Sequence, residues 1–265
     1  MESALYITSV KDFKKVGPDD SRVYFGAEFC QWRTPGAAGA LGAFRRAADM
    51  GLGFTLLTPW VTDAGMVKLR RVFDALAGVS EGSGLPVEVV VNDLGVLSVL
   101  NEKYPVLSPL LGRLMVRQKR CPRIPGLIDS MPESGREIYL GAGVNDPLTA
   151  GFFKGMGVHR VELDAPLQGL SVDLAKAGLK GTVYTPYAYV TTTRHCPASF
   201  DGHMWQSFTG CRLKGCLHNV IRLVNPAHDA PLLMRGNTQF VDGGPLPEGL
   251  EAMGIDRVVR MPDIP

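Results

Sequence analysis

The sequence predicts an α/β protein, a (β/α)8 TIM-like barrel that spans residues 1–265 as a single domain. Short apolar runs alternate with helical patterns along the chain, which is typical of βαβ units and a parallel sheet. About eight such runs suit a closed barrel better than an open sheet. No glycine-rich fingerprint follows the first run, which disfavours the doubly wound alternative.

The predicted strands are rich in Val, Ile, Tyr and Phe, and Gly, Pro or Asp ends many of them. The first group covers residues 22–29, 53–60, 86–93, 108–116, 137–144, 159–166 and 181–190. A later group covers residues 219–225, 231–236 and 256–261.

Helical patterns fill most of the intervals between these strands. We expect a helix over residues 36–50, because Pro35 precedes it and Gly51 follows it. Asp63 is expected to cap the next helix. Shorter helices are expected at residues 94–103, 147–156 and 171–177.

Composition excludes several classes of protein. The net charge of +2 is too small to indicate a nucleic acid or an anionic membrane as partner. The first residues, MESALYITSVKDFKKVG, lack the pattern of a signal peptide, and no stretch approaches the roughly 18 apolar residues of a membrane span. We therefore expect a cytoplasmic protein, in which clustered thiols are more often metal ligands or catalytic groups than disulfides.

Three of the five cysteines fall within the 21 residues from 196 to 216, inside RHCPASFDGHMWQSFTGCRLKGC. The gaps between Cys196, Cys211 and Cys216 match neither a zinc ribbon nor a bacterial ferredoxin, so spacing leaves the metal open. Cys30, after the first predicted strand, is a candidate fourth ligand, because closing a barrel makes its first and last strands neighbours. Other candidates are Cys121, His195, His203 and His218.

A second non-periodic segment, residues 116–137, is basic and rich in proline. It follows the fourth predicted strand, and long loops at this end of barrel strands commonly carry active sites. Its basic residues could contact RNA phosphates or form a solvated face; they are Arg117, Lys119, Arg120 and Arg123.

Several stretches resemble one known family. VYFGAEFCQWR resembles the opening element of the U32 proteins, historically called collagenase-like peptidases. VVVNDLGVLSVL followed by PLLGRLMVRQKR, and PYAYVTTTRHCP with its two later cysteines, resemble further elements of that family. The resemblance covers about residues 22–222. Within the family, a cysteine instead of a serine after the first strand makes this sequence most similar to the V-type subunit of the anaerobic ubiquinone-biosynthesis hydroxylation pair.

This resemblance implies a [4Fe–4S] cluster held by Cys30, Cys196, Cys211 and Cys216, in a loop at the C-terminal face of the barrel, and it gives Cys121 no role. It also implies a part in the oxygen-independent hydroxylation of a quinone precursor or an RNA base. A second U32-family protein would be the heterodimer partner, and prephenate is a candidate oxygen donor. Zinc remains an alternative, since four thiolates suit it equally, and would fit a zinc-stabilised binding or peptidase-like protein. A non-catalytic heterodimer partner is the other alternative.

Several polar residues lie near the predicted C-terminal strand ends, and among them Asp93, Arg113 and Glu162 are candidate catalytic residues. In the alternative interpretation, Asp93 caps the helix that begins at Leu94 and pairs with Arg113. Glu28 is assigned no role, because strand alternation would turn its side chain away from the position of the family's glutamate.

Protease activity is not expected. The sequence contains neither HExxH nor GxSxG. If Cys196 binds a metal, His195 has no nucleophile to activate.

Overall fold

The computed structural model of the protein describes residues 1–199, 210–211, 216, 219–226 and 229–265. Two candidate ligands, His203 and His218, lie outside the described residues. The strands are β1 Glu2–Ile7, β2 Arg22–Gly26, β3 Gly53–Leu57, β4 Val87–Val91, β5 Leu107–Leu111, β6 Arg160–Asp164, β7 Lys180–Thr185, β8 Tyr187–Thr192, β9 Ile221–Leu223, β10 Leu232–Arg235, β11 Thr238–Asp242 and β12 Ile255–Arg260. The helices are α1 Ala37–Asp49, α2 Asp63–Ser83, α3 Leu94–Lys103, α4 Glu133–Leu140, α5 Pro147–Gly155 and α6 Leu174–Ala177.

Eight parallel strands close into a barrel in the order β1-β12-β7-β6-β5-β4-β3-β2, which confirms the predicted fold class. Alternate residues pack outward against the helices, as Phe25 and Val89 do, or inward toward the barrel axis, as Tyr24 and Val90 do. Both faces of these strands are therefore buried, which explains why they read in sequence as nearly continuous apolar runs.

The helices cover the outside of the barrel. α1 buries a stripe of small residues and one ring, formed by Ala40, Ala43, Phe44 and Ala47. The cap of α2 is Thr62, whose hydroxyl accepts a hydrogen bond from the Gly65 N–H, so the expectation that Asp63 is the cap was wrong by one residue. No helix in the described ranges is both long enough and apolar enough to cross a membrane.

A second sheet, antiparallel in the order β8-β11-β10-β9, lies next to the barrel. The predicted strand at 181–190 is in fact two strands, β7 in the barrel and β8 in this second sheet. They are divided by Pro186, which follows a cis peptide bond and cannot donate to a strand ladder. The predicted strands at 219–225 and 231–236 also belong to the second sheet, whereas the run at 256–261 is β12 and closes the barrel.

Two further predictions differ from the structure. The predicted strand at 137–144 is wrong: residues Glu133–Leu140 form α4, and a 3-10 turn follows at Gly143–Asn145. A short apolar run does not by itself distinguish a strand from a helix segment. β1 was missed, although four consecutive residues of its run, Ala4 to Ile7, are buried.

The N-terminal end of the barrel is closed by ion pairs between strands. Arg257 contacts Glu2 at 2.6 Å and Glu88 at 2.7 Å, and Arg22 contacts the same two carboxylates at 2.7 and 3.2 Å. Burial opposes ionisation of Glu88, but the two guanidinium groups outweigh it and hold the pKa of Glu88 below its ordinary value. This network joins β1, β2, β4 and β12 at the end opposite to the cysteines.

The strand order also corrects the argument that linked Cys30 to the late cysteines. The first and last barrel strands are β1 and β12, and together they separate β2, which precedes Cys30, from β7. Strand adjacency therefore does not bring Cys30 to the cysteine-bearing loop. The approach of Cys30 to the late cysteines depends instead on the second sheet.

Candidate functional site

Aromatic packing joins the second sheet to the C-terminal mouth of the barrel. Phe29, after β2, lies 5.2 Å from the ring of Tyr189 in β8 and 5.4 Å from the ring of Phe240 in β11. These rings are almost fully buried, together with Ile264. The residue that precedes Cys30 is thus anchored against two strands of the second sheet.

Asn237 fixes the same approach by hydrogen bonds. It lies in the two-residue turn between β10 and β11, where Gly236 adopts a positive φ of 59°, as tight hairpins require. Its side-chain amide donates to the Phe29 carbonyl at 2.7 Å and to the Thr193 carbonyl at 2.8 Å. One side chain therefore links the segment before Cys30 to the segment before Cys196.

Glu28 points into the mouth of the barrel, on the same face as Tyr24, and so belongs to the site although it was assigned no role from the sequence. β2 ends at Gly26, whose φ is 137° and where a Cβ atom would lie 2.5 Å from the Leu57 carbonyl oxygen. This glycine lets the end of β2 pass close to β3. The Glu28 side chain is fully buried and pairs with Arg113, with 2.5 Å between Oε2 and Nη2.

Arg113 is completely buried and lies at the centre of an ion network. Besides Glu28, it contacts Asp164 at 2.8 Å. Its guanidinium carbon lies 3.9 Å from the centroid of the Tyr184 ring and 5.2 Å from that of Phe29. The expected pairing of Arg113 with Asp93 is therefore wrong.

A second arginine completes the network. Arg120 Nε contacts Asp164 at 2.6 Å, and its guanidinium lies over the Tyr189 ring at 4.1 Å. Gln118 donates to the Asp164 carbonyl and accepts from the Asp164 N–H. Two carboxylates thus face two guanidinium groups, which balances the charge of a set that has almost no access to water. Arg120 was expected in an exposed basic patch, and its burial corrects that interpretation.

The four predicted ligand cysteines line one cavity of about 140 Å³; they are Cys30, Cys196, Cys211 and Cys216. Cys121, in the loop after β5, is not part of its lining. The other residues of the cavity wall are Trp32, Arg33, Arg194, Arg235, Gly236 and Asn237. Three guanidinium groups therefore surround the thiols.

Backbone N–H groups point at two of the thiols. Cys30 precedes the 3-10 turn Gln31–Arg33; burial raises the pKa of its thiol, and the N–H groups of Trp32 and Arg33 act in the opposite direction. Burial likewise raises the pKa of the Cys196 thiol. Hydrogen bonds from N–H groups in the following turn, Pro197–Ser199, act to lower that pKa. Cys211 is near enough to both thiols to raise these pKa values further, as a neighbouring negative charge does.

The four cysteines line the cavity without forming a preformed site for one metal ion. Within the described residues, no group of three or more His, Cys, Asp or Glu side chains is arranged to chelate one metal ion. A tetrahedral zinc site would hold its sulfurs about 3.8 Å apart, as its bond lengths dictate. The thiols of the described cysteines thus share one cavity, but they are not arranged as a mononuclear site.

Asp93 and Glu162, the other two catalytic candidates, have structural partners. Asp93 caps α3 by accepting from the Gly95 N–H at 2.7 Å, as its alternative interpretation expected. Glu162 is completely buried inside the barrel, where the Tyr24 hydroxyl lies 3.4 Å from one of its oxygens. Burial raises the pKa of Glu162 to about 7, against the opposing charges of Arg257 and Arg160.

Several residues of the site were not singled out in the sequence. Asn237 and Arg235 lie in a hairpin that was not predicted, because β11 was missed. Its signal was present, since RGNTQFVD has a Gly-Asn turn followed by an alternating strand pattern. Arg33 lies three residues after Cys30, but no sequence signal directs its side chain into the cavity.

Comparisons with known proteins show the fold. No protein-family model matches the chain, and no curated protein matches it in sequence. Among solved structures, it is similar to the U32 peptidase Mk0906, with a TM-score of 0.50 and 14% identity over 100% of this chain and 94% of that one. A putative copper homeostasis protein CutC from Streptococcus agalactiae aligns with a TM-score of 0.41 and 10% identity, over 69% of this chain and 87% of that one. The chain therefore has the barrel fold of a U32 protein.

We predict that Arg113→Met lowers the free energy of unfolding by about 3–5 kcal/mol, because it leaves two buried carboxylates without their shared cation. Urea unfolding followed by circular dichroism measures the change. Arg71→Gln, on the exposed surface of α2, is the matched control and should change stability by no more than about 0.5 kcal/mol. Equal stabilities for the two variants would contradict the network's role.

We also predict that Glu162→Gln stabilises the protein at alkaline pH. The folded-state pKa of about 7 exceeds the ordinary 4.5, so the folded protein binds this proton more tightly and loses stability as pH rises between these values. We compare the free energy of unfolding of the variant with that of the wild type at pH 5 and at pH 8, using urea unfolding. The difference in favour of the variant should be larger at pH 8 than at pH 5, by up to about 3 kcal/mol. The same difference between variant and wild type at both pH values would contradict this assignment.

Proposed function

We propose that Cys30, Cys196, Cys211 and Cys216 together hold one [4Fe–4S] cluster at the C-terminal mouth of the barrel. The observation that carries the proposal is that these four thiols, one from early in the chain and three from late, line the same cavity. In a reducing compartment, clustered cysteines are more often metal ligands or catalytic groups than disulfides.

The cavity favours a polynuclear cluster over a single zinc ion. Zinc needs four sulfurs at about 2.3 Å from one point, and the described side chains form no such group. The thiols instead surround a volume of about 140 Å³, which suits a group of several atoms. Their softness as ligands agrees with iron–sulfur chemistry.

The surroundings of the thiols support the same assignment. Arg33, Arg194 and Arg235 bring three positive charges to the cavity wall, which would offset the negative charge of four thiolates. The N–H groups of Trp32 and Arg33 point at the Cys30 sulfur, and hydrogen bonds of this kind tune the potential of iron–sulfur centres. The chain's own residues would thus hold the ligands ionised and set their electrostatic environment.

A bound cluster supplies one-electron transfer chemistry. When all four ligands are protein thiolates, no iron position is left open, which favours electron transfer or a structural role over substrate binding at iron. The peptidase activity named for the structural neighbour would need a free nucleophile, and the proposal commits Cys196 to the metal.

The wider function rests on the motif resemblance together with the U32-type fold. We propose a cytoplasmic U32-family protein, similar to the V-type subunit of the anaerobic ubiquinone-biosynthesis pair, that takes part in oxygen-independent hydroxylation of a quinone precursor or an RNA base. A second U32-family protein would be its partner, and prephenate is the candidate oxygen donor. The shared barrel over 94% of the U32 peptidase's length supports the family assignment.

The test is metal and sulfide analysis of protein purified without oxygen. We predict about four iron and four sulfide per chain, with broad visible absorption that dithionite bleaches. Each single substitution of a ligand cysteine by serine should lower the iron content to roughly half or less, since a lost thiolate weakens the cluster. The variants are Cys30→Ser, Cys196→Ser, Cys211→Ser and Cys216→Ser.

Cys121→Ser is the matched control and should keep the wild-type iron content, because Cys121 lies away from the cavity. Stoichiometric zinc without sulfide would contradict the cluster and favour the zinc alternative. Equal loss of iron in Cys121→Ser and Cys30→Ser would contradict the ligand set.

A further inference from the structure

A second, larger cavity of about 680 Å³ opens at the same mouth, beyond the ends of β3, β4 and β5. Its volume falls in the range of small-molecule sites. Apolar side chains make up most of its wall. The lining residues are Trp60, Asn92, Asp93, Leu94, Leu114, Met115, Arg117, Leu148, Thr149, Phe152 and Phe153.

The rim of this cavity exposes large apolar side chains to water. Leu148 is 84% exposed, Phe152 54% and Leu94 52%, although all three belong to helices whose other faces are packed. Exposed apolar residues that border a concave site commonly mark a ligand surface. A ligand with an apolar body would cover them.

Arg117 supplies a cation at the edge of this apolar wall. It is the single non-glycine residue with a positive φ, 58°, in the part of the chain that the structure describes. A hydrogen bond of 2.8 Å from the Gly143 N–H to the Val116 carbonyl holds this backbone in place. A non-glycine side chain in that conformation costs energy and is concentrated at functional sites.

The charge of Arg117 is not compensated by its neighbours. Among the described residues no carboxylate forms an ion pair with it. Asp93 lines the same cavity, but one of its oxygens accepts from the Gly95 N–H and the other from the Val61 N–H. Arg117 is exposed at the rim, and no described carboxylate pairs with it directly, so a guanidinium stands beside the apolar walls, where it would pair with the carboxylate of a ligand.

Trp60 connects this cavity to the cysteines. It lines both the large cavity and a narrow cleft that also contains Cys30. The guanidinium carbon of Arg194, which belongs to the cysteine cavity, lies 4.9 Å from the centroid of the Trp60 ring. This pair of side chains thus links the walls of the two cavities.

We propose that the large cavity binds a small organic carboxylate with a flat, apolar body, whose anionic group pairs with Arg117 and whose body packs against Trp60. Binding of the carboxylate in the large cavity does not require the cluster. That the bound molecule is a substrate of the same centre rests on the function proposed above.

The test uses 2-naphthoate as the probe and 2-naphthol as its neutral counterpart, with isothermal titration calorimetry on the full chain. Arg117→Gln should weaken 2-naphthoate binding about tenfold, because it removes a charge-assisted hydrogen bond, and should leave 2-naphthol binding unchanged. Leu94→Asp should weaken 2-naphthoate similarly by charge repulsion. An acidic residue is tolerated at the first position of a helix, so this variant is expected to fold.

Arg45→Gln, at an exposed position of α1, is the matched control and should bind 2-naphthoate as the wild type does. The proposal is overturned if the wild type shows no saturable binding, or if Arg117→Gln and Leu94→Asp both bind normally. Iron content measured on the same samples separates this result from the cluster test, since either can fail alone.

Discussion

The buried network of Glu28, Arg113, Asp164 and Arg120 is the interaction on which the mouth of the barrel depends. It joins the ends of β2, β5 and β6 to the loop after β5, and Tyr189 ties it to the second sheet through a hydrogen bond to the Arg113 carbonyl. Buried ion pairs add little net stability, but breaking one is costly, so such a network mainly selects a single arrangement. In this arrangement the segment from Glu28 to Cys30 leads from the buried network to the cysteine cavity.

The barrel interior is charged at both ends and aromatic between them. Ion pairs of Arg22 and Arg257 with Glu2 and Glu88 close the N-terminal end. A middle layer of Tyr6, Tyr24 and Tyr184, whose rings meet edge to face, separates that network from the one at the mouth. The two networks thus lie at opposite ends of the barrel interior, and Glu28 of the upper one is two residues from Cys30, which lines the cysteine cavity. This division agrees with the general separation of stability and function in such barrels.

Local patterns predicted the barrel class and most of its strands, because residues such as Val89 to Val91 are buried on both faces and form uninterrupted apolar runs. The same patterns failed where the chain changes direction. Pro186 divides one apparent strand between two sheets. The gathering of the cysteines was predicted for the wrong physical reason. Strand adjacency does not bring the cysteines together. The hydrogen bonds of Asn237 and the packing of Phe29 against Tyr189 and Phe240 do so. Long-range contacts of this kind leave no periodic signal in a sequence.

A crystal structure of protein purified without oxygen, with anomalous diffraction measured at the iron absorption edge, tests the central claim most directly. The account predicts one compact group of iron atoms inside the cavity, bonded to the sulfurs of Cys30, Cys196, Cys211 and Cys216. An iron-free cavity, or a bound metal from which the Cys30 sulfur stands apart, would contradict it.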